Sequence, residues 1–199
     1  MQPLVASHLL LLIPLEISYL IWTVMEVILQ IRQRKRFRAG AQRRDKGSHA
    51  LLICLTVLGN LLCALLAFTV PAAAITQARV ILFWLGILLV YVGIAFRLYA
   101  IKVLGASFTT TVAVAAGQSV IEAGPYRLIR HPAYTGALIT LLGFGLCYTN
   151  WLGLLVLVGC VLLGFSYRIR VEEHVLQEHL GLPYQEYMRR TKRLIPFVL

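Results

Sequence analysis

Apolar positions in this chain come in blocks rather than stripes. Residues 4–31, 50–70 and 79–101 are long runs of mainly apolar residues. Each can cross a hydrocarbon core of about 30 Å, which takes roughly 20 helical residues. A fourth region, 136–167, is apolar along its length but is interrupted by Thr149, Asn150 and the glycines around them. It is too long for one helix and short for two full spans. The pattern therefore predicts a tight hairpin of two helices turning at Tyr148–Asn150, one or both shorter than a full span. The fold class that follows is all-α, a polytopic helical membrane protein with about five membrane segments.

The polar stretches between these blocks carry the remaining signals. Residues 102–135 form the longest non-spanning stretch between apolar blocks, with a turn expected at Gly117. Within it "GPYRLIRHPAYTG", residues 124–136, sets Arg127, Arg130 and His131 beside two prolines and two tyrosines. Gly124-Pro125 punctuates the chain, and His131-Pro132 predicts the start of the next helix, with Pro132 in its first turn. A helix start of this kind offers free N–H groups to an anion such as a carboxylate. After the hairpin, "YRIRVEEHVLQEHLG" predicts a helix leaving the membrane, capped at Gly181 with Pro183 beyond it. Its stripe of Val171, Val175, Leu176 and Leu180 would let it lie on the membrane face or fold back over the polar loop.

Composition agrees with a membrane class: 59% of residues are hydrophobic and 14% charged. The net charge of +11 is placed unevenly, with eight of the 19 cations between Arg32 and Lys46. The next loop, about 71–78, has none. By the positive-inside rule the N-terminus lies outside, and the basic regions 32–46, 102–134 and 168–199 face the cytoplasm. Membrane lipids, not nucleic acid, are the expected partners of that charge. The first segment lacks a basic flank ahead of it and contains Glu16 and Glu26, so it is expected to be retained rather than cleaved. The two acids line an interior face, pair with cations or sit near a water boundary. Cys54, Cys63, Cys147 and Cys160 lie in apolar segments without metal-type spacing and are expected to be reduced packing residues.

Three polar groups stand at the expected cytoplasmic edge: Arg97, the Arg-His-Pro loop and "RIRVEE". Singly, each has an ordinary explanation as an interfacial anchor or a solvated face. Jointly, Arg168 and Glu172 share one helical face at i, i+4, with Arg97 near the end of the third span. Guanidinium groups combined with a carboxylate can bind an anionic substrate end beside a cationic cofactor. His131 is a candidate hydrogen-bond partner or general base. His174 and Glu178 have no third partner, so no metal site is expected. No dinucleotide fingerprint, Walker motif or nucleophile elbow is present.

At these residues the chain resembles the isoprenylcysteine carboxyl methyltransferase family, within the wider group that includes phospholipid methyltransferases. The likeness covers roughly 85–199 and rests on "RLYAIKVLGASF", "GPYRLIRHPAYTG", "RIRVEEHVLQEHLG" and "YQEYMRRTKRLIPF", in that order. It implies that S-adenosylmethionine binds on the cytoplasmic side, at Gln118, Ser119, Val120, Ile121, Tyr126, His131, Pro132, Ala133, Tyr134 and Glu172. It also implies that Arg97 and Arg168 address the substrate at the reaction centre, with Glu173 as a further catalytic residue. The acceptor it implies is a lipophilic small molecule or lipid-modified substrate carrying a carboxylate. A phospholipid amine, a sterol-reductase-like NADPH chemistry and a non-enzymatic scaffold stand as alternatives. Residues 1–78 are expected to supply membrane helices and the basic loop, and 79–199 the methyltransferase core, as one integrated domain.

Overall fold

The structure, a computed structural model, describes residues 9–37, 45, 47–108 and 119–195. The turn expected at Gly117, the cofactor position Gln118 and most of the basic loop lie outside the described residues.

Among the described residues six α-helices carry the fold: α1 (Leu12–Phe37), α2 (Ser48–Thr69), α3 (Arg79–Leu104), α4 (Pro132–Cys147), α5 (Trp151–Leu180) and α6 (Leu182–Arg190). Four of them, α1, α2, α3 and α5, are long and apolar enough to cross a bilayer. The protein is an integral-membrane helical bundle, and large apolar side chains such as Leu61, Ile81, Leu155 and Leu163 stand exposed on its lipid-facing surface. The expected hairpin is present, with its turn at Tyr148–Asn150. Its first arm, α4, has 16 residues, about 24 Å at 1.5 Å per residue. Most of its side chains are buried against neighbouring helices, so it need not match the bilayer thickness itself. The second arm runs unbroken for 30 residues, about 45 Å, and leaves the apolar zone as one continuous helix.

Helices α3 and α4 make the closest packing in the bundle, along a seam of small residues. A Cβ on Gly93 would lie 2.4 Å from Thr140 Oγ1 and 2.6 Å from the Gly136 carbonyl, and one on Gly143 would lie 2.5 Å from the Gly86 carbonyl. Without a hydrophobic driving force between helices in lipid, such close backbone approach supplies the attraction. Thr140, fully buried, turns its hydroxyl back to the Gly136 carbonyl at 3.0 Å. Helix α2 packs on α5 in the same manner, with Gly153 against the Cys63 carbonyl.

The hairpin turn is locked by Asn150, which caps α5 by accepting from the Gly153 amide at 2.9 Å and donates to the Val70 carbonyl at 3.1 Å. At the other end Gly181, with φ of 60°, ends α5 where the sequence places a cap. Helix α1 is held at one end by Tyr19, which stacks on Phe144 at 3.8 Å and donates to Asn60 Oδ1 at 2.9 Å. Along the rest of its length it stands apart from α2.

Candidate active site

The polar residues of α3, the 119–131 loop, α4 and α5 meet at one end of the bundle, around a cavity of about 380 Å³. Arg97, near the end of α3, is buried and directs its side chain into this cavity. Its Nε donates to Glu26 Oε1 at 2.7 Å and its Nη2 to Glu26 Oε2 at 3.2 Å. Its Nη1 donates to the Ala133 carbonyl at 2.8 Å, and Trp22 lies beneath the guanidinium at 5.7 Å. An arginine in an apolar helix needs such partners, since an unpaired buried charge costs several kcal/mol. Ala133 lies in the first turn of α4, where its carbonyl oxygen has a second lone pair to offer Arg97 beside the helix's own bond.

Arg168, only 1% exposed, projects from α5 and lines the same cavity. Its Nε donates to the Tyr134 hydroxyl at 3.1 Å, and its Nη1 donates to Ser48 Oγ at 2.7 Å and to Asp45 Oδ1. Burial alone would raise the Asp45 carboxyl's pKa. Arg168, the Ser48 hydroxyl and the His49 amide outweigh burial and hold it below the usual aspartate range. The stability this adds is complete above the ordinary carboxylate pKa and is lost only as pH falls through the lowered value. Tyr134 completes a relay, donating to Glu172 Oε2 at 2.7 Å. Glu172 thus sits one helical turn from Arg168 on the same face, as their spacing predicts.

Three buried tyrosines, Tyr126, Tyr184 and Tyr187, close the loop side of the cavity. Burial, reinforced by the Glu172 carboxylate, pushes the Tyr126 and Tyr184 hydroxyls well above their usual range. Both rings therefore stay neutral at any working pH. The cavity is also lined by α1 and α2, which contribute the apolar Trp22, Val27, Leu52, Ile53 and Val57 together with the polar Thr23, Glu26, Gln30, His49 and Thr56.

Of the residues singled out in the sequence, Arg97, Ser119, Val120, Ile121, Tyr126, His131, Ala133, Tyr134, Arg168 and Glu172 all line this one cavity. Pro132 and Glu173 do not stand on its wall. Glu173, 3% exposed, turns toward the loop. It accepts from Arg130 Nε at 2.8 Å and from Arg193 at 2.9 and 3.1 Å, and lies 3.4 Å from His131 Nε2. The segment following α6 runs beside the same loop: the Arg130 and His131 amides donate to the carbonyls of Lys192 and Arg193 at 2.7 and 3.0 Å. Arg130 Nη1 reaches the Met188 carbonyl at 3.0 Å. Glu173 therefore ties the His-Pro loop to α5 and the tail. Glu173→Gln is expected to destabilise the protein by about 3 kcal/mol, since it leaves a buried guanidinium without its carboxylate. Thermal unfolding in detergent checks this, and a transition unchanged from wild type would remove the buttressing role.

The sequence reading assigned Glu26 and Arg130 no specific role and did not single out Asp45, Tyr184 or Tyr187. A signal existed for two of them. Asp45 is the sole acid in a run of eight cations. Glu26 is one of two acids in an apolar helix, where a carboxylate calls for a cation. His174 and Glu178 meet at 3.2 Å on the exposed side of α5, away from the cavity.

Comparison with known proteins places this geometry in context. Residues 81–182 match the family model described as phospholipid methyltransferase. A probable protein-S-isoprenylcysteine O-methyltransferase of Oryza sativa subsp. japonica is 32% identical over 117 residues, 58% of this chain and 61% of that protein. Protein-S-isoprenylcysteine O-methyltransferase B of Arabidopsis thaliana is 31% identical over 115 residues, 57% of this chain and 58% of that protein. The chain spans about three fifths of the length of these plant relatives. A solved structure of the eukaryotic intramembrane Ras methyltransferase ICMT (isoprenylcysteine carboxyl methyltransferase) superposes with a TM-score of 0.57 at 22% identity, covering 73% of this chain and 52% of that one. That likeness is one of fold.

Proposed function

This chain belongs to the phospholipid methyltransferase family, and we propose that it uses S-adenosylmethionine to methylate the carboxylate of a lipophilic, isoprenylcysteine-like acceptor. In this reading the reaction takes place at the cytoplasmic end of the bundle. The observation that carries the reading is one cavity lined by two buried arginines, by Glu172 and three tyrosines, and by apolar residues of α1 and α2 such as Trp22, Leu52 and Val57.

The residues present suit the cofactor. A sulfonium and an ammonium find a carboxylate in Glu172 and neutral aromatic faces in Tyr126, Tyr184 and Tyr187. The first turn of α4 and His131 border the place where a carboxylate would rest. When bound, S-adenosylmethionine supplies an electrophilic methyl group.

The chain's own residues supply position and field. Arg97 and Arg168 hold the acceptor carboxylate by charge-assisted hydrogen bonds. A carboxylate has no proton to lose, so the residues need not include a base. Aligning it for in-line attack is the main contribution. Tyr134 keeps Arg168 and Glu172 in fixed register through its two hydrogen bonds. In this reading the apolar residues that α1 and α2 give to the cavity, Trp22, Val27, Leu52, Ile53 and Val57, take the acyl or prenyl chain of the acceptor. An amine acceptor would have to be deprotonated; Glu173 is held off the cavity by Arg130 and Arg193, which leaves His131 as the base on its wall.

Binding of S-adenosylhomocysteine to detergent-purified protein, followed by calorimetry with NADPH titrated in parallel, tests the cofactor half. Wild type is expected to bind S-adenosylhomocysteine and not NADPH, and Tyr134→Phe to weaken it about tenfold through loss of the Glu172 register. No binding to folded wild type would overturn the cofactor reading.

A further inference from the structure

Both arginines that face the cavity are already paired with carboxylates of the chain itself. Arg97 is gripped side-on by both oxygens of Glu26, and Arg168 by Asp45. These pairings come from parts of the chain far removed in sequence: Glu26 lies 71 residues before Arg97, and Asp45 lies 123 before Arg168. Glu26 also borders the cavity, on the α1 side where the acceptor would pass.

A guanidinium has five N–H groups. Glu26 takes two of Arg97's and the Ala133 carbonyl a third, leaving two for a ligand. Arg97 can therefore hold an acceptor carboxylate while keeping Glu26. It then bridges two carboxylates and shares one positive charge between them. That sharing matters for a nucleophile. An arginine committed wholly to the acceptor would bind it more tightly and draw electron density from the oxygen that must attack. One that is half-neutralised orients the carboxylate and leaves it reactive.

We infer that Glu26 is a positioning residue that acts through Arg97 to limit the grip on the acceptor carboxylate, exchanging ground-state affinity for turnover. This rests on the carboxyl-methyltransferase reading and deepens it. Interactions stronger with the bound carboxylate than with the transition state, in which its charge is being spent, lower KM and kcat together. Glu26 works against such over-binding.

The test is a steady-state comparison of wild type and Glu26→Gln, in detergent or proteoliposomes. The acceptor is a prenyl thioether of N-acetylcysteine, and its neutral methyl ester serves as product inhibitor. The glutamine is isosteric and uncharged, so Arg97 keeps a neighbour but regains its full charge. KM for the acid is expected to fall about fivefold to tenfold and kcat to fall by a similar factor, with inhibition by the ester unchanged. Glu26→Asp retains the charge on a shorter stem that reaches the guanidinium less well. It should move both constants the same way by about twofold to threefold, which keeps the question open to test should the glutamine variant not fold. A purely structural Glu26 predicts the reverse, a KM that rises or stays put as α1 loosens, with acid and ester weakened alike. That pattern, or a KM that falls with kcat unchanged, overturns the inference. A wild type that binds S-adenosylhomocysteine yet methylates no carboxylate acid would instead defeat the acceptor assignment on which it stands.

Discussion

Replacing Arg168 with alanine is expected to lower kcat/KM for a carboxylate acceptor by about 100- to 1000-fold, the usual loss when a preorganised donor at a reaction centre is removed. It is also expected to cost about 3–5 kcal/mol of stability, because Asp45 is left buried with its principal cation gone. The two effects can be separated. Adding Asp45→Asn to the same chain removes the orphaned charge while leaving Ser48 and the α2 start in place. Most of the lost stability should return, and none of the lost turnover. Transfer of a labelled methyl group, read beside thermal unfolding in detergent, gives both quantities. If Arg168→Ala stays within about tenfold of wild type, Arg168 has no part in holding the acceptor.

The second large effect is expected at a glycine, Gly136, that carries no charge of its own. An alanine Cβ at position 136 would lie 2.7–2.8 Å from the backbone nitrogen, Cα and Cβ of Arg97. Backbone on one rigid helix then presses backbone on another, so relief requires α3 and α4 to separate. Overpacking of this sort costs about 3 kcal/mol, toward the upper end for one added methyl group. It also shifts Arg97 out of register, and a displacement near 1 Å can lower rate about 100-fold. Gly136→Ala is therefore expected to lose both stability and turnover. Gly159→Ala is the matched control: its added methyl meets nothing within 4 Å, and alanine is the better helix former. A Gly136→Ala protein as stable and active as the Gly159→Ala protein would show that the seam tolerates widening.

The parts of the architecture that were legible in sequence share one trait: their cause is local. The hairpin turn shows as a break at Thr149-Asn150 in an apolar run, since Asn150 is a helix cap and Thr149 adopts a left-handed φ of 49°. The start of α4 shows as His131-Pro132, and the end of α5 as Gly181. Along α5, Arg168 and Glu172 share a face because 3.6 residues make a turn. The stripe of Val175, Leu176 and Leu180 shows as helical spacing too, and it folds inward, with Leu176 and Leu180 on the cavity wall. The sequence reading ended the hairpin's second arm before this stripe, whereas α5 is continuous because nothing between Gly164 and Leu180 breaks a helix.

What escaped the sequence was pairing. Nothing near Glu26 indicates Arg97, and nothing near Asp45 indicates Arg168. Each contact exists only because three helices converge. Glu173 shows the same limit from the other side. The sequence places it next to Glu172 as a further catalytic residue, yet neighbouring residues on a helix point about 100° apart. Glu172 consequently faces the cavity while Glu173 faces Arg130 and Arg193.

The short ladder between residues 128–131 and 192–193 also bears on how the protein is made. The Arg-His-Pro loop receives its final hydrogen bonds from residues translated some 60 positions after it. By Arg190 every described helix is complete, yet the carbonyls that hold the Arg130 and His131 amides still lie ahead, at Lys192 and Arg193. A chain cut before Lys192 would have all six helices and lack what fixes the His-Pro loop, so the support of that loop comes from beyond α6 and not from the spanning helices.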